Sequence, residues 1–219
     1  MRYKFLIAGT VLSTATVLNV FADENDQYWV TPAVSWKIDD EFSLRVSQQF
    51  RWRDGEFYYS ETDFSAGYKL SKNWNIVPIY RHQRSKNDAG DWKTTNGYLL
   101  DVNNSLKVRE LELKSRFRLA YFDSRESHKD SSTEVRPKFA LLPKTGLTKL
   151  DVKPYIADEM MYDFCEHNFF RNRFSIGVEF KPAKPLSMDL FVMNEQNSKD
   201  GEKNWTGHWN CGIGATYSF

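Results

Sequence analysis

The stretch FSLRVSQQFRW, Phe42 to Trp52, decides how this chain is read. Phe42, Leu44, Val46, Phe50 and Trp52 share one parity, and Ser43, Arg45, Ser47, Gln49 and Arg51 share the other. A helix would scatter these groups around its circumference. A strand has period two and sends the apolar set to one face and the polar set to the opposite face. The segment is also about as long as a tilted strand needs to cross a bilayer, roughly 9–11 residues.

The same pattern recurs outward from this stretch. Strand-like segments occupy residues 28–38, 42–53, 57–70, 74–83, 95–106, 110–122, 133–142, 149–160, 169–180, 186–195 and 205–219. The sixth sets Leu111, Leu113, Phe117, Leu119 and Tyr121 against Glu112, Lys114, Arg116 and Arg118. The ninth sets Phe174, Ile176 and Val178 against Arg173, Ser175 and Gly177. Short turns at 39–40, 71–73, 107–109, 143–147 and 181–185 alternate with longer polar loops at 84–94, 123–132, 161–168 and 196–204; only 54–56 breaks the trend. Short turns on one side and long loops on the other are the plan of an outer-membrane barrel. The fold expected is all-β: an antiparallel up-and-down transmembrane β-barrel of about 10–12 strands.

Two features resist that plan. Eleven segments is an odd number, whereas single-chain bacterial barrels have even counts. Either residues 28–38 are not a full wall strand or one strand is hidden in a loop. Pro32, Pro78, Pro137 and Pro154 also fall inside strands, where a closed barrel has no free edge for a missing donor. They are expected to mark bulges or strand ends.

Residues 1–22 read as a secretory signal peptide, which leaves residues 23–219 as the barrel domain. Arg2 and Lys4 precede the apolar run Phe5 to Phe21, and Val20-Phe21-Ala22 supplies the small cleavage residues before an acidic tract. No Cys stands at the cleavage point, so a lipoprotein is excluded. A mean hydropathy of −0.62 would suit a soluble protein. A barrel escapes that inference because only half of each strand faces lipid. Aromatic residues make up 16% of the chain, which suits interfacial girdles. Trp36, Phe42, Tyr68, Trp74, Tyr217 and Phe219 are expected at the periplasmic interface, and Trp52, Tyr58, Tyr98, Tyr121, Trp205 and Trp209 at the outer one.

The net charge of +1 lacks the footprint of a nucleic-acid binder. Export permits a disulfide, but Cys165 falls in a loop and Cys211 inside the last strand, and no bridge is expected. Charges on the inward parity are rich and nearly balanced in sign. A single-sign lumen would suggest a pore selective for the opposite charge. A balanced one suggests pairing across the interior, because buried charge is tolerated when paired. Arg116, Arg118 and Arg173 are expected to pair with Glu112, Glu134 and Glu159. Nearer the loops, Arg51, Arg53, Arg81, Arg136 and Arg171 form a candidate anion-binding mouth, since guanidinium forks suit carboxylates and phosphates.

Catalytic patterns are weak. His82, His128, His167 and His208 stand in no motif, and Ser60 and Ser124 are nucleophile candidates by location alone. Asp163, Glu166 and His167 form a loose acidic loop rather than a metal signature. No enzyme activity, metal or cofactor is expected.

The stretches RFRLAYFDS (116–124), EVRPKFAL (134–141), KPYIADEMMYDF (153–164), FFRNRFSIGVEF (169–180) and GIGATYSF (212–219) resemble an uncharacterised bacterial outer-membrane barrel family of about 200 residues, a domain of unknown function. Its marks here are Arg116 and Arg118, Glu159, and Asn172 with Arg173. The resemblance spans roughly Trp29 to Phe219 and implies fold and location, with no established activity.

The expectation is therefore an outer-membrane protein of a Gram-negative-type bacterium: a narrow barrel with a charge-paired lumen in a structural or surface-binding role. The alternative is a small porin for anionic solutes or acidic oligosaccharides, and a lipid-modifying hydrolase stands third. Expected partners are outer-membrane lipids, the barrel-insertion machinery, and anionic saccharides or lipid headgroups; no nucleic acid is expected, and the barrel should be a monomer.

Overall fold

A computed structural model describes residues 26–87, 89–124, 131–198 and 205–219. The segment read as a signal peptide, His128 and the side chain of Ser124 lie outside these residues.

Eleven strands form one closed barrel: β1 (Gln27–Lys37), β2 (Phe42–Arg53), β3 (Glu56–Lys69), β4 (Trp74–Lys86), β5 (Trp92–Val108), β6 (Leu111–Ser124), β7 (Ser132–Pro143), β8 (Lys153–Asp163), β9 (Asn168–Ala183), β10 (Leu186–Ser198) and β11 (Trp205–Ser218). Neighbours in sequence pair antiparallel throughout. The closing contact is different. Strands β1 and β11 run the same way and pair in parallel, from Gln27↔Asn210 to Ser35↔Ser218. This corrects two expectations. Among the described residues there is no further strand and none is surplus: an odd number of strands joined by hairpins leaves the first and last co-directional, so they close in parallel. The barrel is therefore up-and-down with one parallel seam. Phe219 secures the seam, donating its N–H to the Ser35 carbonyl (2.9 Å) and accepting from Lys37 (3.4 Å). The end that carries Phe219 is called proximal below, and the end that carries Gln27 distal.

Side chains follow the parity read from the sequence. The exposed large apolar residues lie on the outer wall, among them Phe42, Leu44, Phe64, Leu113, Phe117 and Ile176. Glu61, Arg81, Asp101, Arg118, Glu159 and Arg173 are buried on the inner face. Proximal aromatics pack in two groups, with Trp36 stacked on Phe219 (6.1 Å) and Tyr217 against Phe219 (4.8 Å) in one, and Phe42 against Tyr68 (4.7 Å) in the other. Tyr58 departs from its expected place in the distal girdle. A bulge between Arg51↔Tyr59 and Trp52↔Phe57 inserts Tyr58 as an extra residue, and its hydroxyl turns inward to Gln27 (2.5 Å).

The prolines sit at gaps in one ladder, not at bulges. Within a strand each residue directs its N–H and C=O to one neighbour only. Pro32 is in register with Ala215 while the β1–β2 ladder skips it; Pro78 faces Leu100 while the β3–β4 ladder skips it; Pro137 faces Phe117 while the β7–β8 ladder skips it. Pro154 is the second residue of β8, a strand end as expected. The eighth strand starts at Lys153 rather than Lys149. Residues 144–152 fold into a compact loop, closed by Leu147 N–H to Val152 (2.9 Å) and Asp151 N–H to Thr148 (3.0 Å).

Candidate functional site

One row of residues on the inner wall carries a continuous run of titratable side chains. Reading around the barrel in register, Arg116 on β6 faces Lys138 on β7, then Glu159 on β8, Arg173 on β9, Glu195 on β10 and His208 on β11. Signs alternate along most of it, and cross-strand neighbours of opposite charge attract. Glu159 is buried between two guanidinium groups, in a very short contact with Arg116 Nη2 and 3.8 Å from Arg173 Nη1. Arg173 Nε donates to Glu195 Oε2 at 2.5 Å. Glu195 also lies 3.6 Å from Arg171 Nε and 3.6 Å from His208 Nε2.

Two further clusters complete the ring. On one, Arg81 grips Asp63 through both Nε and Nη2 (2.8 Å each) and reaches Glu61 through Nη1 (3.0 Å). On the other, Arg118 grips Asp101 in the same forked way (2.6 and 2.8 Å), and Arg136 pairs with Glu134 (2.7 Å). Such bidentate bonds are the stronger class of ion pair. Arg51 joins the walls. Its guanidinium lies 3.8 Å from the Trp29 ring centroid and 3.9 Å from that of Tyr59, with Glu61 at 3.8 Å. Trp29 meets Phe191 edge-on at 6.2 Å. That contact requires Gly212, where a Cβ would collide with the Phe191 ring.

The predicted partners meet only in part. Glu159 stands with Arg116 and Arg173. Arg118 instead takes Asp101, Glu134 takes Arg136, and Glu112 accepts from Ser105 Oγ (2.5 Å). The five mouth arginines are mostly engaged: Arg51, Arg81, Arg136 and Arg171 face carboxylates, and Arg53 stacks over Tyr58 (4.5 Å). Ser60 is in register with the outward-facing Phe50, and His82 contacts Asn96 Oδ1 (3.3 Å) on that same face. Neither lines the lumen. Asp163 caps the turn after β8 by accepting the N–H groups of Cys165 (2.6 Å) and Glu166 (3.2 Å). Among the described residues no His, Cys, Asp and Glu group has the arrangement of a metal site, and Cys165 and Cys211 are free thiols.

The row encloses a distal cavity of about 820 Å³. Of the charged side chains that line it, ten are basic and seven acidic. Among the described residues three of the basic groups, Arg45, Arg53 and Lys138, make no ion pair; Arg53 stacks over Tyr58, and Lys138 goes without although it is in register with Glu159. Both oxygens of Glu159 are taken by Arg116 and Arg173. Cavities of about 480 and 650 Å³ fill the proximal half and share Asp189 with the distal one.

Residue types alone did not reveal which cations, Arg45, Arg53 and Lys138, go without an ion pair. The hairpin pairs Asp101–Arg118, Asp63–Arg81 and Glu195–Arg173 could have been found. Each spans one tight turn, and a tight turn sets the register of its hairpin. The Arg116–Glu159 contact passes over β7 and has no such signal.

The profile of a family described as a protein of unknown function (DUF2490) matches residues 26–206. The chain belongs to that family. Among solved structures, the β domain of the Bordetella autotransporter BrkA superposes with a TM-score of 0.51 at 13% identity, covering 84% of this chain and 86% of that one. A bacterial polysaccharide outer-membrane secretin aligns at 10% identity over 81% of this chain and 74% of that one, with a TM-score of 0.42. No functionally curated protein matches. The likeness to BrkA is one of fold: this DUF2490 chain is a β-barrel of the outer-membrane type.

Proposed function

We propose that the protein resides in the outer membrane of a Gram-negative-type bacterium and that its narrow, charge-paired lumen binds anionic solutes, passing them slowly at most. The observation that carries this reading is the cationic surplus of the distal cavity, ten basic groups to seven acidic, with Arg45, Arg53 and Lys138 in no ion pair and only Arg53 of the three stacked on a ring. An unpaired cation in a confined lumen attracts an anion more strongly than the same group in bulk water. The paired groups hold the wall strands together. The unpaired ones offer forks and ammonium hydrogens to a carboxylate, sulfate or phosphate. No chemistry is assigned to the barrel itself.

A purely structural barrel is the second reading, favoured by the forked Arg118–Asp101 and Arg81–Asp63 pairs, which need no ligand. Planar-bilayer recording separates the two. The mature protein should give a small unitary conductance that favours anions, and Arg45→Gln with Lys138→Gln should abolish that preference while heat-modifiable gel migration persists. Silence towards every salt, with no anion affinity, would leave the structural reading. A wide or cation-selective pore would overturn both. Cell fractionation tests location, and recovery as a soluble periplasmic protein would sink it.

A further inference from the structure

The outer wall between β8 and β10 carries polar side chains where a lipid-facing wall should carry none. Asp158, Asn172, Asn194 and Gln196 all take the outward parity and are all partly exposed. Asn172 Nδ2 donates to Asp158 Oδ1 at 3.0 Å, and Gln196 Nε2 donates to Asn194 Oδ1 at 2.6 Å. Asp158 is the sixth of eleven residues in β8, with Ile156 on one side and Met160 on the other, both exposed on the same face. A strand needs about 9–11 residues to cross the bilayer. The middle of so short a strand therefore lies within the hydrocarbon layer wherever the interfaces fall. A carboxylate there is costly unless something covers it.

We infer that Asp158, Asn172, Asn194 and Gln196 form the polar centre of an interface at which the barrel pairs with a second copy of itself within the bilayer. The spare hydrogen-bonding groups select the occupant. Asn194 Nδ2 and the second hydrogen of the Gln196 amide are free donors, whereas Asn172 Nδ2 also donates to the Glu159 carbonyl at 3.5 Å. Asp158 Oδ2, Asn172 Oδ1 and Gln196 Oε1 are free acceptors. Donors and acceptors in like number on one patch satisfy each other across a two-fold axis. The patch's one charged group is acidic, which disfavours an anionic lipid headgroup, and acyl chains cannot hydrogen-bond. Exposed rings at Phe139, Phe174 and Trp209 stand beside the polar groups and supply apolar contact around them. A groove of about 350 Å³ borders the patch, with Met160, Phe169 and Trp205 in its walls. This pairing would replace the monomer expected from the sequence, and it is independent of the lumen reading.

The test uses the full mature chain in lipid bilayers, with Cys165 and Cys211 changed to Ser. Phe174 lies in register between Asp158 and Asn194, so F174C should form an intermolecular disulfide on mild oxidation. Leu100→Cys, on the exposed wall of β5, should not. Native mass spectrometry of the protein without introduced cysteines should show a dimer. Asp158→Leu with Asn194→Leu should lower the dimer fraction at least tenfold. The inference fails if the protein is a monomer at every protein-to-lipid ratio. It also fails if the dimer survives the double substitution, if Leu100→Cys cross-links as well as F174C, or if a retained lipid or a different polypeptide occupies the patch. Should the double variant not fold, the cross-linking comparison alone decides.

Discussion

Asp158 and Glu159 are adjacent in β8, and their surroundings differ completely. Glu159 points inward and is buried between Arg116 and Arg173. Asp158 points outward to one amide, Asn172. The β3–β6 wall sharpens the contrast. There the outward face carries a row of rings, Phe64, Tyr80, Tyr98 and Tyr121, linked at 6.5, 5.7 and 6.5 Å. The polar row Thr62, His82, Asn96 and Asp123 lies beyond it on the distal side. That is the order expected at a membrane interface, with rings at the headgroup level and polar groups above them. On β8–β10 the order inverts, since Asp158 and Asn172 lie proximal to Tyr162 and Phe169. The lesson is that a carboxylate in a barrel wall is accommodated by guanidinium partners inside, and needs a different kind of cover outside.

The largest effect should come from the inner residue of the pair. Glu159→Ala leaves Arg116 without its carboxylate in a narrow lumen, and urea unfolding from lipid vesicles should show a loss of about 3–5 kcal/mol. If Glu159→Ala proved as mild as a surface change, the paired inner wall would lose its energetic basis. Next comes a charge forced onto the plain outer wall. Ile176→Arg should cost about 2–4 kcal/mol in the same assay, since the side chain faces lipid. Ser175→Arg, one residue away on the inner face, should lack that lipid penalty, and equal costs would break the assigned facing. Asp158→Leu is the opposite case. It removes one hydrogen bond, worth about 1 kcal/mol, and also removes a carboxylate from the bilayer, so it should be neutral or stabilising for the isolated barrel. A loss comparable to Glu159→Ala would erase the contrast between the two faces.

The smallest effect belongs to a carboxylate that faces water. Asp151, in the loop before β8, accepts from Lys181 Nζ at 2.8 Å, and this bond holds its carboxyl below the usual carboxylate range. A lowered folded-state pKa stabilises above the ordinary value, and that stability is lost as pH falls through the depressed one. Asp151→Asn should cost no more than about 0.5 kcal/mol at neutral pH, as for exposed pairs. The difference should shrink as pH falls below the ordinary carboxylate value of about 4 and vanish below the depressed folded-state value. A cost that grew on acidification would contradict the sign.

Alternation along the chain was enough to establish the barrel, its eleven segments and the facing of nearly every side chain, because a strand's period depends only on local backbone geometry. It also placed Arg116, Arg173 and Glu159 together on the inner face. Tyr58 escaped because a bulge shifts parity locally and leaves no mark in composition. Only the tertiary structure decided how the barrel closes, since parity is blind to which strands meet at the seam. It alone revealed that Glu159 is shared by two arginines while Lys138 and Arg45 go without, because register between distant strands is a property of the closed ring. The outward patch was likewise hidden. Asp158, Asn172, Asn194 and Gln196 are scattered through three segments, and only the pairing of β8 with β9 and of β9 with β10 gathers them on one surface.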